Sequence, residues 1–290
     1  MTIGLPVFNG EAFLQEAVTS LLCQSLTNFE LIISDNASTD GTEEICREAA
    51  RRDARIRYVR QPRNLGAPEN WNFVVREARG RFFKWASDSD VCSPRFLEAC
   101  VGPLLEDESV VLCLGGTRYI DEAGDPVTLG VCDLEALEPQ PSARFRRVCM
   151  DLAMNNEQYG VIRTDVLRKT RLDRPYPHGD LVLMAELAMM GGFKLLPEVL
   201  LTRRIAPGHW ARLMSSEQLD GMFWPEGRPT ARVVLLRRHL DYLRTALTSP
   251  VAWPERLRAA GFALRFAYWK KRDIAEDIVN GLRGFFVPAA

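Results

Sequence analysis

The sequence predicts an α/β protein whose core is a mostly parallel sheet flanked by helices. Through the first hundred residues, short apolar runs of strand length alternate with amphipathic stretches of helical period, the pattern of strands joined by crossover helices. Each run also ends in a polar segment rich in Asn, Asp, Ser or Gly, and in an open parallel sheet ligands bind beyond the carboxyl ends of the strands. With 290 residues, 47% hydrophobic and 26% charged, the chain suffices for one large domain, alone or with a helical appendage.

The first strands are expected at residues 3–7, 29–34, 56–59, 82–85 and 110–114. Between them, residues 11–22 put Phe13, Leu14, Ala17, Val18, Leu21 and Leu22 on one face of a helix, and residues 42–52 and 68–78 give two more. Asp40 with Glu43 three residues later reads as an N-cap and its partner, and Pro68 suits a first helical turn. Residues 119–127 read as a hairpin that gives the sheet an antiparallel edge. A helix over 143–150, a short segment at 159–163, an apolar helix over 181–190 and strands at 193–196 and 200–204 follow, and beyond residue 214 the chain is helical, chiefly at 232–247 and 254–271.

Composition excludes several classes. Lys plus Arg number 37 against 38 Asp plus Glu, a net charge of −1, so no global field favours nucleic acid. No apolar run reaches membrane-spanning length, and the chain opens on a strand without a basic-then-apolar leader, so the expected location is cytoplasmic. Seven scattered cysteines without a Cys-x-x-Cys read as reduced packing residues. Residues 251–290 interleave Arg256, Arg258, Arg265, Lys270, Lys271, Arg272 and Arg283 with Trp253, Phe262, Phe266 and Trp269. That pattern suits either a helix packed on the main domain with a solvated basic face, or peripheral contact with the anionic inner face of a membrane. Trp210, Met214, Met222, Phe223 and Trp224 read first as core, with a mobile cover or an interface patch as alternatives.

The polar strand ends carry the chemistry: Pro6-Val7-Phe8-Asn9, Asp35-Asn36-Ala37-Ser38-Thr39-Asp40, Asn64-Leu65-Gly66 and Asp88-Ser89-Asp90 before Pro94. No Gly-x-Gly-x-x-Gly and no Gly-Lys-Ser/Thr occurs, so phosphate charge must be met otherwise. Asp88 and Asp90 could offer oxygens to a hard divalent cation that also holds a diphosphate.

In this order the segments resemble inverting glycosyltransferases of family 2, with the GT-A fold, of the kind used in bacterial polysaccharide or glycolipid assembly. Gly179-Asp180-Leu181, Leu196-Pro197-Glu198 and Leu201-Thr202-Arg203-Arg204 extend the resemblance to about residue 210. It implies a transferase domain over 1–212, with a nucleotide-binding half (1–115) and an acceptor-side half (116–212), then a helical extension over 213–290. It also implies transfer of a sugar from a UDP- or dTDP-linked donor to a hydroxyl of a glycan or lipid-linked acceptor, with a divalent cation, Mn or Mg. By the same resemblance Asp35 would bond the base, Pro6, Phe8 and Asn9 would wall its pocket, and Asn64 and Gly66 would underlie the nucleoside. Asp88 would face the ribose or the metal shell, Asp90 would ligate the metal, and Asp180 would be the general base. Arg203 and Arg204 would steady the diphosphate or the acceptor.

Two departures stand out. Ser89 takes the first place of an expected adjacent acid pair, and Ala206 stands where the subgroup usually has histidine, leaving His209 as a substitute near the diphosphate. They support the alternative of a non-catalytic relative that binds nucleotide-sugar or scaffolds an assembly complex. A nucleotidyltransferase is disfavoured, because no glycine-rich basic loop adjoins the first strand. Oligomeric state is left open.

Overall fold

The computed structural model describes residues 1–130, 132–205, 221–225 and 233–286, with side chains to residue 281. A first unit runs β1 (Thr2–Val7), α1 (Leu14–Leu22), β2 (Glu30–Asp35), α2 (Thr42–Arg52), β3 (Ile56–Arg60), α3 (Ala67–Glu77) and β4 (Phe82–Trp85), in the predicted alternation. β1, β2, β3 and β4 are parallel and lie in the spatial order β3-β2-β1-β4. β1 is central and buried along its length, and Pro6 is tolerated there because pairing with β4 stops at Gly4.

The second half extends the same sheet through β5 (Val91–Cys92), α4 (Phe96–Glu106), β6 (Val110–Ile120), β7 (Pro126–Val127), α5 (Pro141–Asp151), β8 (Val161–Arg163), α6 (Thr164–Leu167), α7 (Gly179–Met190) and β9 (Gly192–Arg204). β8 inserts antiparallel between β4 and β6, β9 lies parallel to β6, and β5 and β7 are antiparallel edges. The expected hairpin is therefore real, but its first arm is the end of an eleven-residue strand. The two strands expected after residue 192 are one strand, in which Leu196 pairs with Gly115 and Val199 with Gly116. Pro197, which has no N–H to give the ladder, falls in the irregularity between them.

α4 was hidden in the sequence by Gly102-Pro103, and it forms because Phe96, Leu97, Cys100, Val101 and Leu104 are buried. At the start of α2, Asp40 accepts from the backbone N–H of Thr42 and of Glu11, both at 3.1 Å. The reciprocal partner is not Glu43, which pairs with Arg47 and Arg60, but Glu11, whose Oε2 accepts the Gly41 N–H at 2.6 Å.

α8 (Val234–Thr248), α9 (Trp253–Trp269) and α10 (Lys271–Phe286) follow. α8 packs on α7, and α9 packs on α5 and α8. Phe145, Tyr242, Phe262 and Phe266 interlock there in edge-on and stacked pairs. Arg171 ties the extension to α7, since it pairs with Glu186 of α7 and with Asp241 of α8. Cys46, Cys92, Cys100 and Cys113 are buried, and no disulfide forms among the described residues.

Candidate functional site

The carboxyl ends of β1, β2 and β4 converge, as a parallel sheet requires. Asn9, at the end of β1, adopts φ +52°, a left-handed conformation that asparagine tolerates. Its N–H donates to Ser38 Oγ at 2.9 Å and its Oδ1 accepts the Thr39 N–H at 2.9 Å, so the β1 and β2 loops are laced together. Pro6 is buried, while Phe8 and Asn9 are exposed at the rim.

Asp35 closes β2 and is wholly buried. Its Oδ1 accepts the Ser38 N–H at 2.8 Å, and its Oδ2 accepts Tyr58 Oη–H at 2.8 Å and Arg60 Nη1–H at 2.9 Å. Both oxygens are thus engaged within the chain, and Asp35 shapes the 36–41 loop from beneath. Burial, then the bond to Asp35, raises the Tyr58 phenol. Asn36 was not singled out in the sequence. It donates to Asn64 Oδ1 at 2.8 Å and accepts the Leu65 N–H at 2.8 Å, while Asn64 Oδ1 accepts the Gly66 N–H at 2.9 Å. Gly66 needs its φ of +82°, and a Cβ there would stand 3.0 Å from the backbone oxygen of Phe223.

Met222, Phe223 and Trp224 are therefore not core: they are half-exposed or exposed against this loop, and Trp224 Nε1–H donates to Pro175 O at 3.1 Å. Ala206, His209, Trp210 and Met214 lie outside the described residues.

After β4 the two acids part company. Asp88 is half-exposed and accepts from Ser87 Oγ–H at 3.3 Å. It faces Gly10, where an added Cβ would come within 2.5 Å of Asp88 Oδ2, so the glycine keeps a cradle open around this carboxylate. Asp90 is buried instead. Its Oδ1 accepts the Arg204 backbone N–H at 3.0 Å and its Oδ2 lies 3.5 Å from Arg203 Nε. Of the expected pair, Asp88 is the more open to a cation, and Asp90 is buried beside Arg203. Among the described residues no three His, Cys, Asp or Glu side chains are grouped closely enough to hold an ion by themselves.

Arg203 and Arg204 are neighbours on β9, so the twofold alternation of a strand sends them to opposite faces. Arg203 Nη1–H donates to Asn156 Oδ1 at 2.6 Å and to Met154 O at 3.1 Å, and its guanidinium lies 4.6 Å from the Tyr159 ring centroid. Arg204 points away. It pairs with Glu16 at 2.7 Å and stacks on Phe13 at 4.2 Å, which removes its guanidinium from the expected diphosphate position.

The other half of the site hangs on a 3-10 turn, Asn156–Tyr159, that sequence reading missed. Asn155, left-handed at φ +49°, enters the turn and donates from Nδ2 to Asp180 Oδ2 at 2.7 Å. Asp180 stands half-exposed in the first turn of α7 and accepts this bond rather than capping its own helix, whose cap position is His178. Asn156 Nδ2–H donates to Tyr119 Oη and to Asp133 Oδ1, both at 2.7 Å, while its Oδ1 holds Arg203. Lys84 secures the turn from below, because its buried Nζ donates to Tyr159 O at 2.6 Å. Nothing in the periodicity around Asn155-Asn156 announces this role; the only sequence signal is two adjacent amides beside a short strand.

The electrostatics of the site run the same way. Burial pushes the Tyr159 phenol up to about 12, with Arg203 opposing and Asp90, Asp180 and Asp88 each adding to the rise. One phenol therefore senses all four charged groups. Burial pushes the Glu157 carboxyl up to about 7; its Oε1 accepts the Leu134 N–H and its Oε2 is buried without a hydrogen bond. Asp173, in the loop before α7, is raised well above the carboxylate range by burial and then by the Asp180 charge. Its backbone is clamped by Asn72, which accepts the Asp173 N–H and donates to Asp173 O, both at 2.9 Å.

Comparison with known proteins fits this geometry. The profile of the family described as "Glycosyl transferase family 2" matches residues 2–169. A putative teichuronic acid biosynthesis glycosyltransferase, TuaG, of Bacillus subtilis is 28% identical over 169 residues, 58% of this chain and 66% of that protein. An uncharacterized glycosyltransferase of Rickettsia conorii is 32% identical over 126 residues, 43% of this chain, and chondroitin synthase of Escherichia coli is 29% identical over 130 residues, 45% of this chain. The matched segment spans only 20% and 19% of those two proteins. Among solved structures, S. aureus TarS 1-349 in complex with UDP superposes with a TM-score of 0.63 at 14% identity, covering 92% of this chain and 71% of that one. The mannosyltransferase PcManGT from Pyrobaculum calidifontis, in complex with GDP-Man and Mn2+, gives 0.53 at 16% identity, covering 92% and 74%. The fold is of the GT-A type, and with more than half of its length matched to the profile, the chain belongs to glycosyl transferase family 2.

Proposed function

We propose that the protein transfers a sugar from a nucleoside diphosphate donor, UDP- or dTDP-linked, to a hydroxyl of a glycan or lipid-linked acceptor, with inversion at the anomeric carbon. The observation that carries this reading is the placing of Arg203 against Tyr159, Asn156 and Asp90 beside the Asn155–Asp180 pair, at the ends of strands whose loops are laced by Asn9, Asp35, Asn36 and Asn64. Asp180 is the general base: its carboxylate, held through Oδ2 by Asn155, takes the proton of the acceptor hydroxyl as that oxygen attacks. Phe8 and Asn9 at the rim, with Asn64 and Gly66 in the adjoining loop, bound the nucleoside, and Asp35 fixes the 36–41 loop from below. Asp88 would hold the divalent cation, which when bound supplies positive charge to the departing diphosphate. Arg203 stands on the same side of the sheet and adds a fixed positive charge, oriented by Asn156 and Tyr159. Support for an assembly role in polysaccharide synthesis comes from the similarity to TuaG.

The test is calorimetric titration with UDP, dTDP and GDP, with and without Mn2+ or Mg2+, on the wild type, Asp88→Ala and Asp180→Asn. The expected result is nucleotide binding that weakens in Asp88→Ala and persists in Asp180→Asn. Absence of nucleotide binding in every metal condition would overturn the reading. Binding without transfer from any donor, with Asp180→Asn indistinguishable from wild type, would favour the non-catalytic relative that Ser89 makes chemically reasonable.

A further inference from the structure

α9 carries two apolar faces, and only one of them is used. Glu255, Ala259, Ala260, Ala263 and Phe266 are buried against α5 and α8. The opposite side is also apolar: Trp253 is 60% exposed, Leu264 58% and Tyr268 64%, with Leu257 exposed between them. At about 100° per residue these four side chains fall within about 60° of one another, a continuous stripe about 23 Å long with an aromatic residue at each end. Beside it runs a second stripe of Arg258, Arg265 and the exposed Trp269, continued past the helix end by Lys270, Lys271 and Arg272. Of the acids nearby, Glu255 accepts from Ser142 and pairs with Arg258, Asp273 pairs with Lys270 and Asp277 accepts the Leu235 N–H, while Glu276 is exposed.

We infer that this face docks the protein on an anionic lipid surface, with α9 lying flat in the headgroup layer. Tryptophan and tyrosine at the ends of an apolar stripe suit that layer, because each ring has an apolar body and a polar tip. The arginine stripe complements anionic headgroups, and the groove it shares with α5, about 990 Å3 and lined by Arg146, Arg147, Arg258 and Arg265 as well as Glu138 and Asp151, widens the basic side. The charge pattern disfavours a second copy as occupant, since pairing this face with itself would bring like-charged arginines together. No described helix is long and apolar enough to cross a membrane, so contact through this face is peripheral. The packed-helix and membrane-contact readings of the sequence are thus two sides of one helix.

The experiment is co-sedimentation of the full chain with vesicles of phosphatidylcholine alone or with about 30 mol% phosphatidylglycerol, at low salt and about 0.5 M NaCl. The protein is expected to sediment with the anionic vesicles, less so at high salt and not with phosphatidylcholine alone. Leu257→Glu with Leu264→Glu is expected to weaken this at least about tenfold, and Arg265→Glu with Arg272→Glu to weaken it and remove its salt dependence. These side chains are exposed, so unchanged circular dichroism and nucleotide binding should accompany the loss. Failure to bind anionic vesicles, or binding indifferent to the leucine changes, would overturn the inference. So would a concentration-dependent dimer in light scattering that the leucine changes abolish without any vesicle binding, which would make a second copy the occupant.

Discussion

Asp35 and Asp180 are both acids at the mouth of the same sheet, yet the molecule treats them oppositely. Asp35 is wholly buried, receives three hydrogen bonds and is paired with Arg60. Asp180 is half-exposed, and its hydrogen-bond partner is the neutral amide of Asn155. A carboxylate that is wholly buried and holds three donors is out of reach of a reacting hydroxyl, whereas a half-exposed one steadied by a single amide keeps lone pairs within reach. The difference separates a group that builds the loop from a group that can do chemistry.

The largest effect should come from attacking that distinction directly. Asp180→Asn is expected to lower turnover by about 10²–10⁴-fold, the usual weight of a general base, with nucleotide affinity changed less than about twofold. Asp35→Asn should do the reverse: it removes the charged acceptor of Tyr58 and Arg60, so about 1.5–3 kcal/mol of stability is lost in urea unfolding. If the two variants lose activity and stability in the same proportion, the distinction fails.

The next effect is pH-dependent and belongs to the turn that carries Asn155. Glu157 is wholly buried with its carboxyl pushed up to about 7, above the ordinary 4.5. The native state therefore holds a proton that the unfolded chain releases, so the contribution is full below about pH 4.5 and is lost as pH rises through 7. The shift corresponds to about 3 kcal/mol. His239 slopes the other way: burial lowers it to about 4, so its contribution is present above about pH 6.5 and falls away under acid. Unfolding midpoints at pH 6.5 and 8, compared between wild type and Glu157→Gln, isolate Glu157 because His239 is common to both, and Glu157→Gln should lose the decline over that interval and be the more stable protein at pH 8. An unchanged slope would mean that the carboxyl finds a counter-charge the geometry does not supply.

Asn155→Ala sharpens the comparison at a smaller scale. It leaves Asp180 in place and removes its orienting donor, so turnover should fall about tenfold, with the acid limb of the pH–rate profile displaced upward because an unsupported carboxylate protonates more readily. Substitution by Ser, which can still donate, should recover part of the loss, whereas a merely structural role for Asn155 would leave the pH profile unmoved.

How much of this was legible depends on where the information lies. The half built from β1, α1, β2, α2, β3, α3 and β4 could be read almost residue by residue, because alternating burial and amphipathic periods are local, Asp35 and Asp88 stand at or just past apolar runs, and Asn64 lies in the polar segment after the third. α4 was concealed because its Gly102-Pro103 pair is a local break signal that burial of Phe96, Leu97 and Leu104 overrides. The turn at Asn155–Tyr159 was invisible for a different reason. Its partners are Lys84, Tyr119, Asp180 and Arg203, spread over four elements, and no window of sequence contains them together. Asp180 was found through the resemblance of the segment around it; the amide that orients it could only be found in three dimensions.

Arg203 and Arg204 carry the comparison to its smallest expected effect, and in sequence they are indistinguishable. Strand alternation puts the Arg203 guanidinium against Asn156, Tyr159 and Asp90, and the Arg204 guanidinium across the sheet against Glu16 and Phe13. What Asp90 receives from Arg204 is a backbone N–H, which survives any change of side chain. Arg204→Gln should therefore leave turnover and nucleotide affinity within about twofold of wild type, while costing about 1 kcal/mol of stability through the lost pair with the exposed Glu16 and the lost packing on Phe13. Arg203→Gln, one residue earlier, should weaken nucleotide binding. Equal losses from the two substitutions would overturn this division, since adjacent side chains of a strand share a side only where the strand bulges or leaves the sheet.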